Sequence, residues 1–203
     1  MTAMLRALCL LSILVLVPLA PAPGQAATPE QGAAFVKDLA DRALEALGKF
    51  KNLSKADRET RFREVMHTGF DIPTIGRFVV GPTWRKASEA ERARYLELFE
   101  RYIVQTYAAR LAEYDDEKIA VAAARADDGD VVVASQILRK SGPPVKIDWR
   151  LREAKAGGLR VIDVVIEGIS MAVSQRSEFA SVIQQGGGEM APLIKLLGEK
   201  TGG

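Results

Sequence analysis

Cysteine and histidine are nearly absent from this chain, with one of each in 203 residues. Centres built from several histidines or from a cysteine cluster are therefore excluded. An excess of one charge is missing too. There are 28 Lys and Arg against 26 Asp and Glu, a formal net charge of +2. No basic surplus is available to neutralise phosphates, so nucleic acid is not an expected partner. Long apolar runs are also scarce, and the one that stands out is at the N-terminus.

Residues 1–26 read as a secretory signal peptide. Arg6 is its only charge, and Leu8 to Leu19 is apolar except for Ser12 and Pro18. Pro21, Pro23 and Gly24 end any helix. The small residues Gly24 and Ala26 place the expected cleavage after Ala26. The run is short for a membrane span, the alternative being an uncleaved anchor. Cys9 lies inside the apolar region rather than at its end, so cleavage removes the only cysteine. Residues 27–203 remain as one exported domain without disulfides, which must take its stability from its core.

Helical spacing opens this domain. Phe35, Leu39, Ala43, Leu47 and Phe50 form one stripe from Glu30 to Phe50. Ser54 with Asp57 resembles a capping box for a second helix carrying Phe62, Val65 and Met66 inward. Asp71 and Pro73 suit the start of a short helix with Ile72, Ile75, Phe78 and Val79, stopped by Gly81-Pro82. Ser88 with Glu91 caps the longest helix, expected from Glu89 to Tyr114 and holding all four tyrosines.

After Asp115 the period changes to two. Ile119, Val121 and Ala123 alternate, Asp127 to Asp130 is a turn, and Val131 to Arg139 is the next strand. Val145, Ile147, Trp149 and Leu151 alternate with Lys146, Asp148, Arg150 and Arg152, the pattern of a strand with one buried face. Gly157-Gly158 then turns into Leu159 to Ile166. Short turns throughout imply a four-stranded antiparallel meander. Helices around Ser177–Gln185 and Glu189–Leu197 close the chain. The expected class is α+β, with helices packed on one face of the sheet.

Candidate catalytic chemistry is sparse. His67 has no cysteine partner after cleavage and reads as a structural helix residue. Asp127, Asp128 and Asp130 miss the spacing of a calcium loop. Gly186 to Gly188 precedes no Lys-Ser/Thr pair and opens no phosphate cradle. Asp163 and Glu167 are the one carboxylate pair worth weighing as acid and base. On one strand face they would sit about 13 Å apart, too far to share an atom, unless the turn at Gly168 shortens the gap. Pairing with arginine or capping a backbone N–H is the favoured role. The apolar face with Trp149 opposite the Tyr- and Phe-rich helix reads either as a closed core or as a core left open around an apolar ligand.

Several strings together resemble one family. They are Leu159-Arg160-Val161-Ile162-Asp163-Val164-Val165-Ile166-Glu167-Gly168-Ile169-Ser170-Met171, the strand Val145 to Arg152, and Gly81-x-x-Trp84-Arg85-x-x-Ser88 followed by Phe99, Tyr102 and Tyr107. The chain is similar to the MlaC or toluene-tolerance family of periplasmic phospholipid carriers, from roughly Phe35 to Leu197. Ile169 stands where the family usually has Val, and Trp149 where other aromatics are common. The resemblance implies a soluble periplasmic shuttle holding acyl chains in a pocket between sheet and helices. It implies no catalysis, metal or cofactor. The implied partners are a phospholipid ligand, an inner-membrane ABC transporter with an MCE-domain subunit, and an outer-membrane lipoprotein complex. Periodicity and the family analogy together nominate the pocket residues. Ile147, Trp149 and Leu151 would form a sheet wall, and Phe99, Ile103 and Tyr107 a helix wall. Phe78, Val79 and Trp84 would close one end, and Ile166, Ile169 and Met171 the other. The alternatives are a carrier of hopanoid or another apolar lipid, or a pocket-bearing isomerase with Asp163 and Glu167 as its carboxylates.

Overall fold

Local caps set the helical half of the molecule. In the computed structural model, which describes residues 27–48, 52–111 and 117–202, helix α1 spans Pro29–Gly48. Helix α2 (Lys55–Gly69) starts where the Ser54 hydroxyl accepts the Asp57 N–H, and α3 (Ile72–Val80) where Asp71 accepts that of Thr74. A one-turn helix α4 (Thr83–Lys86) leads into α5 (Glu89–Leu111). Ser88 and Glu91 make the reciprocal bonds of a capping box at the head of α5. The expected signal peptide, Phe50 and Tyr114 lie outside the described residues.

Strands β1 (Lys118–Asp127), β2 (Asp130–Leu138), β3 (Val145–Glu153) and β4 (Leu159–Ile166) form the expected antiparallel meander. A fifth strand, β5 (Ile169–Ser170), corrects the expected count of four. Asp128-Gly129 and Glu167-Gly168 both take positive φ, at 50° and 82° and at 49° and 81°. Two successive left-handed residues make the tight hairpin turn whose twist matches the strands. At Glu167-Gly168 that turn folds the chain back, so Ile169 pairs with Ile166 and Ser170 with Val165.

Helix α6 (Met171–Gln185) begins six residues before the predicted Ser177, and α7 (Ala191–Thr201) ends the fold. The early start has a tertiary cause. The Ser170 hydroxyl accepts the Val173 N–H at 3.0 Å, and Asp163 on β4 accepts that of Ala172, also at 3.0 Å. Half of the cap therefore comes from another element.

Two bulges reset the faces of the sheet. Ala122 in β1 and Ile162 in β4 have no paired residue. Strict alternation would put Val121 and Ala123 together. The bulge instead aligns Val121 and Ala124 with Ser135 and Val133, and puts Ala123 on the opposite face. In β4 the bulge brings Val161, Val164 and Ile166 beside Leu151, Trp149 and Ile147.

Helix α1 lies on this apolar face over β1 and β2. Gly32 permits the close approach, since a Cβ there would stand 2.5 Å from Val131 Cγ1. Val36 and Leu39 pack on Val131, Val133, Leu151 and Val161. The α2–α3 corner is joined to the open edge of β4, where Phe70 bridges Val161 and the Asp71 N–H donates to Val161 O at 3.0 Å. That contact covers an edge otherwise open to a foreign strand.

A second apolar cluster is wholly helical. Met66, Ile72, Val79, Tyr95, Leu98, Phe99, Phe179, Met190, Leu193 and Leu197 are buried in it. The Tyr95 ring stacks on Phe99 at 5.7 Å, and its hydroxyl donates to Gly76 O at 2.9 Å. Burial pushes the Tyr95 pKa far up, so the hydroxyl stays a donor. Phe70 packs against both clusters and links them.

On the sheet's other face Asp130 is 4% exposed and accepts from Arg152 Nε at 2.7 Å and Arg150 Nη1 at 2.9 Å. Burial alone would raise its pKa, but the two guanidiniums outweigh burial and hold it below the usual carboxylate range. A carboxylate depressed in the folded state contributes stability above its unfolded pKa of about 3.9, and loses it as pH falls through the lower folded value. Urea unfolding at pH 6 and pH 3 is expected to show a larger drop for the native protein than for Asp130→Asn. Equal drops would refute this assignment.

Candidate functional site

The apolar face of the sheet is larger than α1 covers. Leu151 is fully buried under α1, whereas Ile147, 5% exposed, belongs to neither cluster. Around it the half-buried Val145, Ile137, Ile119 and Ile166 continue the same face towards the β5 end. Trp149 stands between the two zones, at the margin of the α1 cluster. Its indole N–H donates to Ser135 Oγ at 2.9 Å, and that hydroxyl donates to Ile147 O at 3.3 Å. These two side-chain polar groups on the apolar ground are thus both hydrogen-bonded within the sheet.

The nominated helix residues fall in different surroundings. Val79 and Phe99, each 1% exposed, are inside the helical cluster. Ile103 packs against its flank. Trp84 closes the α4 corner, edge-on to Tyr95 at 6.4 Å and under the Arg92 guanidinium at 5.4 Å. Tyr107 is half-buried beneath Arg110 at 5.4 Å, and burial pushes its pKa up. Met171 is half-buried as the first residue of α6. Phe78 and Ile169 stand at the surface, 42% and 59% exposed.

The fold thus brings Ile147, Trp149, Leu151, Ile166 and Ile169 onto one sheet face, with Val79, Trp84, Phe99 and Ile103 in or against the helical cluster. Helix α5 makes its main contacts with α7, α2 and α3, while α2, α3 and α6 reach the sheet at β4. Sequence reasoning missed Val164, brought beside Trp149 by the bulge, and Ser135, an apolar-face hydroxyl whose neighbouring indole was the available signal. A concavity of about 440 Å³ opens elsewhere, lined by Ala122, Ala134, Gln136, Lys146, Asp148 and Glu167 among others. Its lining is mixed in polarity, unlike the apolar face.

The two carboxylates weighed as acid and base are occupied by the backbone. Asp163 Oδ1 accepts from Val164 N–H at 2.8 Å and Ala172 N–H at 3.0 Å, while Oδ2 accepts from Ser170 Oγ at 2.6 Å. Glu167 Oε1 accepts the Lys146 N–H at 2.6 Å, and its own N–H donates to Lys146 O at 3.0 Å. Both act as clamps at the β4–β5–α6 corner, which is the structural role favoured from sequence. His67 is exposed and bonds Glu100 at 2.9 Å across α2 and α5. Among the described residues no group of three or more His, Cys, Asp or Glu could hold a metal, and no helix is long and apolar enough to cross a membrane.

Comparison with known proteins agrees with this architecture. The profile of the MlaC protein family matches residues 37–199. The toluene tolerance protein ttg2D of Pseudomonas putida is 31% identical over 111 residues, covering 54% of this chain and 51% of that protein. The match thus spans about half the length of that relative. A solved phospholipid-binding protein from Ralstonia solanacearum, in complex with a phospholipid, superposes with a TM-score of 0.75 at 24% identity. The superposition covers 84% of this chain and 96% of that one and shows a shared fold.

Proposed function

The chain belongs to the MlaC family, and from that premise we propose that it is a periplasmic carrier of phospholipid. It takes acyl chains against the apolar sheet face around Ile147, Trp149 and Ile166, and moves lipid between outer- and inner-membrane complexes. The observation that carries this reading is the sheet face itself. Its apolar surface continues past the α1 cluster, and the two hydrophobic clusters are separate except through Phe70. The phospholipid bound to the Ralstonia protein of the same fold supports the choice of ligand.

The physical need is clear. Each buried CH₂ is worth about 0.8 kcal/mol, so one chain of roughly fifteen methylenes faces about 12 kcal/mol on entering water. A carrier removes that barrier by enclosing the chain. It can release the lipid only if a partner stabilises a state that holds it less well. The inner-membrane transporter with an MCE-domain subunit and the outer-membrane lipoprotein complex are the partners this role requires. Residues 1–26 would act as the export signal and 27–203 as the lipid-binding domain. No cofactor takes part.

Native mass spectrometry and lipid extraction of protein purified from its own host are expected to show copurified diacyl phospholipid. A hopanoid in its place would move the protein to another lipid system. Protein without lipid would overturn the carrier reading.

A further inference from the structure

Phe78, Leu138, Ile169 and Val173 are the large apolar side chains that stand exposed among the described residues. Phe78 on α3 and Val173 on α6 belong to one corner, and Ile169 lies in β5, which runs directly into α6. Helices α3 and α6 pack together there, and the Arg176 guanidinium lies 5.1 Å from the centre of the Phe78 ring. Val173, 52% exposed, is one turn before Arg176 on α6, and Ile169 precedes Val173 by another four residues. The inward side of α6 is taken by Ala172, Phe179 and Ile183; Val173 stands off that side, while Arg176, one turn from both Ala172 and Phe179, is exposed at its margin.

The charge at this corner is one-sided. Arg176 rests against Gly81, its Nη2 3.0 Å from the point a Cβ would occupy. Neither Arg176 nor the exposed Arg77 next to Phe78 pairs with a carboxylate among the described residues. The nearby acids are occupied elsewhere: Asp163 caps α6, and Glu178 accepts from Gln175 Nε2 at 3.0 Å. The corner therefore offers exposed aromatic and aliphatic groups beside two cations without acidic partners.

We propose that Phe78, Val173, Arg77 and Arg176 form a docking surface for an anionic lipid bilayer. A small soluble anion would need a polar cradle, whereas here the guanidiniums are flanked by apolar side chains of α3 and α6. A bilayer interface matches both parts: phosphates meet the arginines, and the acyl boundary takes the phenyl and aliphatic groups. So few groups give weak, reversible attachment, which suits a protein that must leave again. The inference goes beyond the carrier reading because it concerns the outer surface rather than the lipid enclosed.

Vesicle flotation with the full mature chain tests it, using phosphatidylcholine vesicles with and without phosphatidylglycerol. The bound fraction is expected to rise about tenfold with the anionic lipid and to fall with added salt. Val173→Ser, Arg176→Gln and Arg77→Gln are each expected to cut it several-fold, and all three positions are exposed enough to leave folding intact. Binding that ignores phosphatidylglycerol, or survives all three changes, overturns the proposal. So does loss of capture by a purified acidic protein with vesicle binding untouched, which would assign the patch to a protein partner. Copurified lipid measured on the same variants should match the native protein. Failure of flotation and failure of the carrier reading are then seen in separate assays.

Discussion

Asp163→Ala is expected to lower unfolding stability by about 3 kcal/mol, because one carboxylate holds three donors from three elements. Removing it leaves the Ala172 N–H uncapped at the head of α6 and frees the Ser170 hydroxyl that caps the adjacent Val173 N–H. For a domain of this size the midpoint should fall by about 6–12 °C. Asp163→Asn separates this from a general charge effect. Its amide oxygen can still accept the two N–H groups while its NH₂ donates to Ser170, so most of the stability should return. Hydrogen exchange at Ala172 and Val173 should quicken in the alanine variant and stay slow in the asparagine variant. An alanine variant within about 0.5 kcal/mol of the native protein would sink the assignment.

Trp149→Arg is expected to reduce bound phospholipid at least tenfold while leaving the domain folded. Trp149 is half-buried at the border between the α1 cluster and the apolar face that continues past it. A guanidinium there reaches water at its tip, so the fold tolerates it, but an acyl chain laid on the face would desolvate it. Ile147→Asp places the charge deeper, at a position 5% exposed. It is expected to abolish lipid retention and to destabilise the domain as well. Native mass spectrometry against far-ultraviolet circular dichroism separates the two effects. A folded Trp149→Arg protein that keeps its full lipid content would remove the sheet face from the binding site.

Much of the fold was legible because its signals are local. Ser54, Asp71 and Ser88 announce three helices, since a cap needs only a side-chain oxygen within three residues of the N–H it accepts. The β3 pattern from Val145 to Arg152 reads directly, because one buried face imposes a period of two. The Glu167-Gly168 turn was harder. Glutamate rarely takes positive φ, and here the Lys146–Glu167 bonds of β3 compensate for that strain. The start of α6 was misplaced for the same reason: Asp163 supplies part of the cap from β4. Bulges at Ala122 and Ile162 carry no sequence mark, so Ala123 was put on the wrong face and Val164 was overlooked.

The candidate site divides along the same line. That Ile147, Trp149 and Leu151 share an apolar face follows from their spacing alone. That α1 buries Leu151, while Ile147 lies beyond either cluster, depends on where Gly32 lets the helix descend on Val131.

By itself, the sequence determined the class: an α+β domain with capped helices, an antiparallel meander, and no cysteine or histidine chemistry to speak of. Those conclusions rest on composition and on periods of 3.6 and 2, which each segment carries within itself. Only the tertiary structure decided which apolar residues join the two clusters, which continue the sheet face beyond them, and which gather with Arg176 at the surface. These are properties of elements in contact. They depend on bulges, edge bridges and caps shared between segments, and no single segment encodes them.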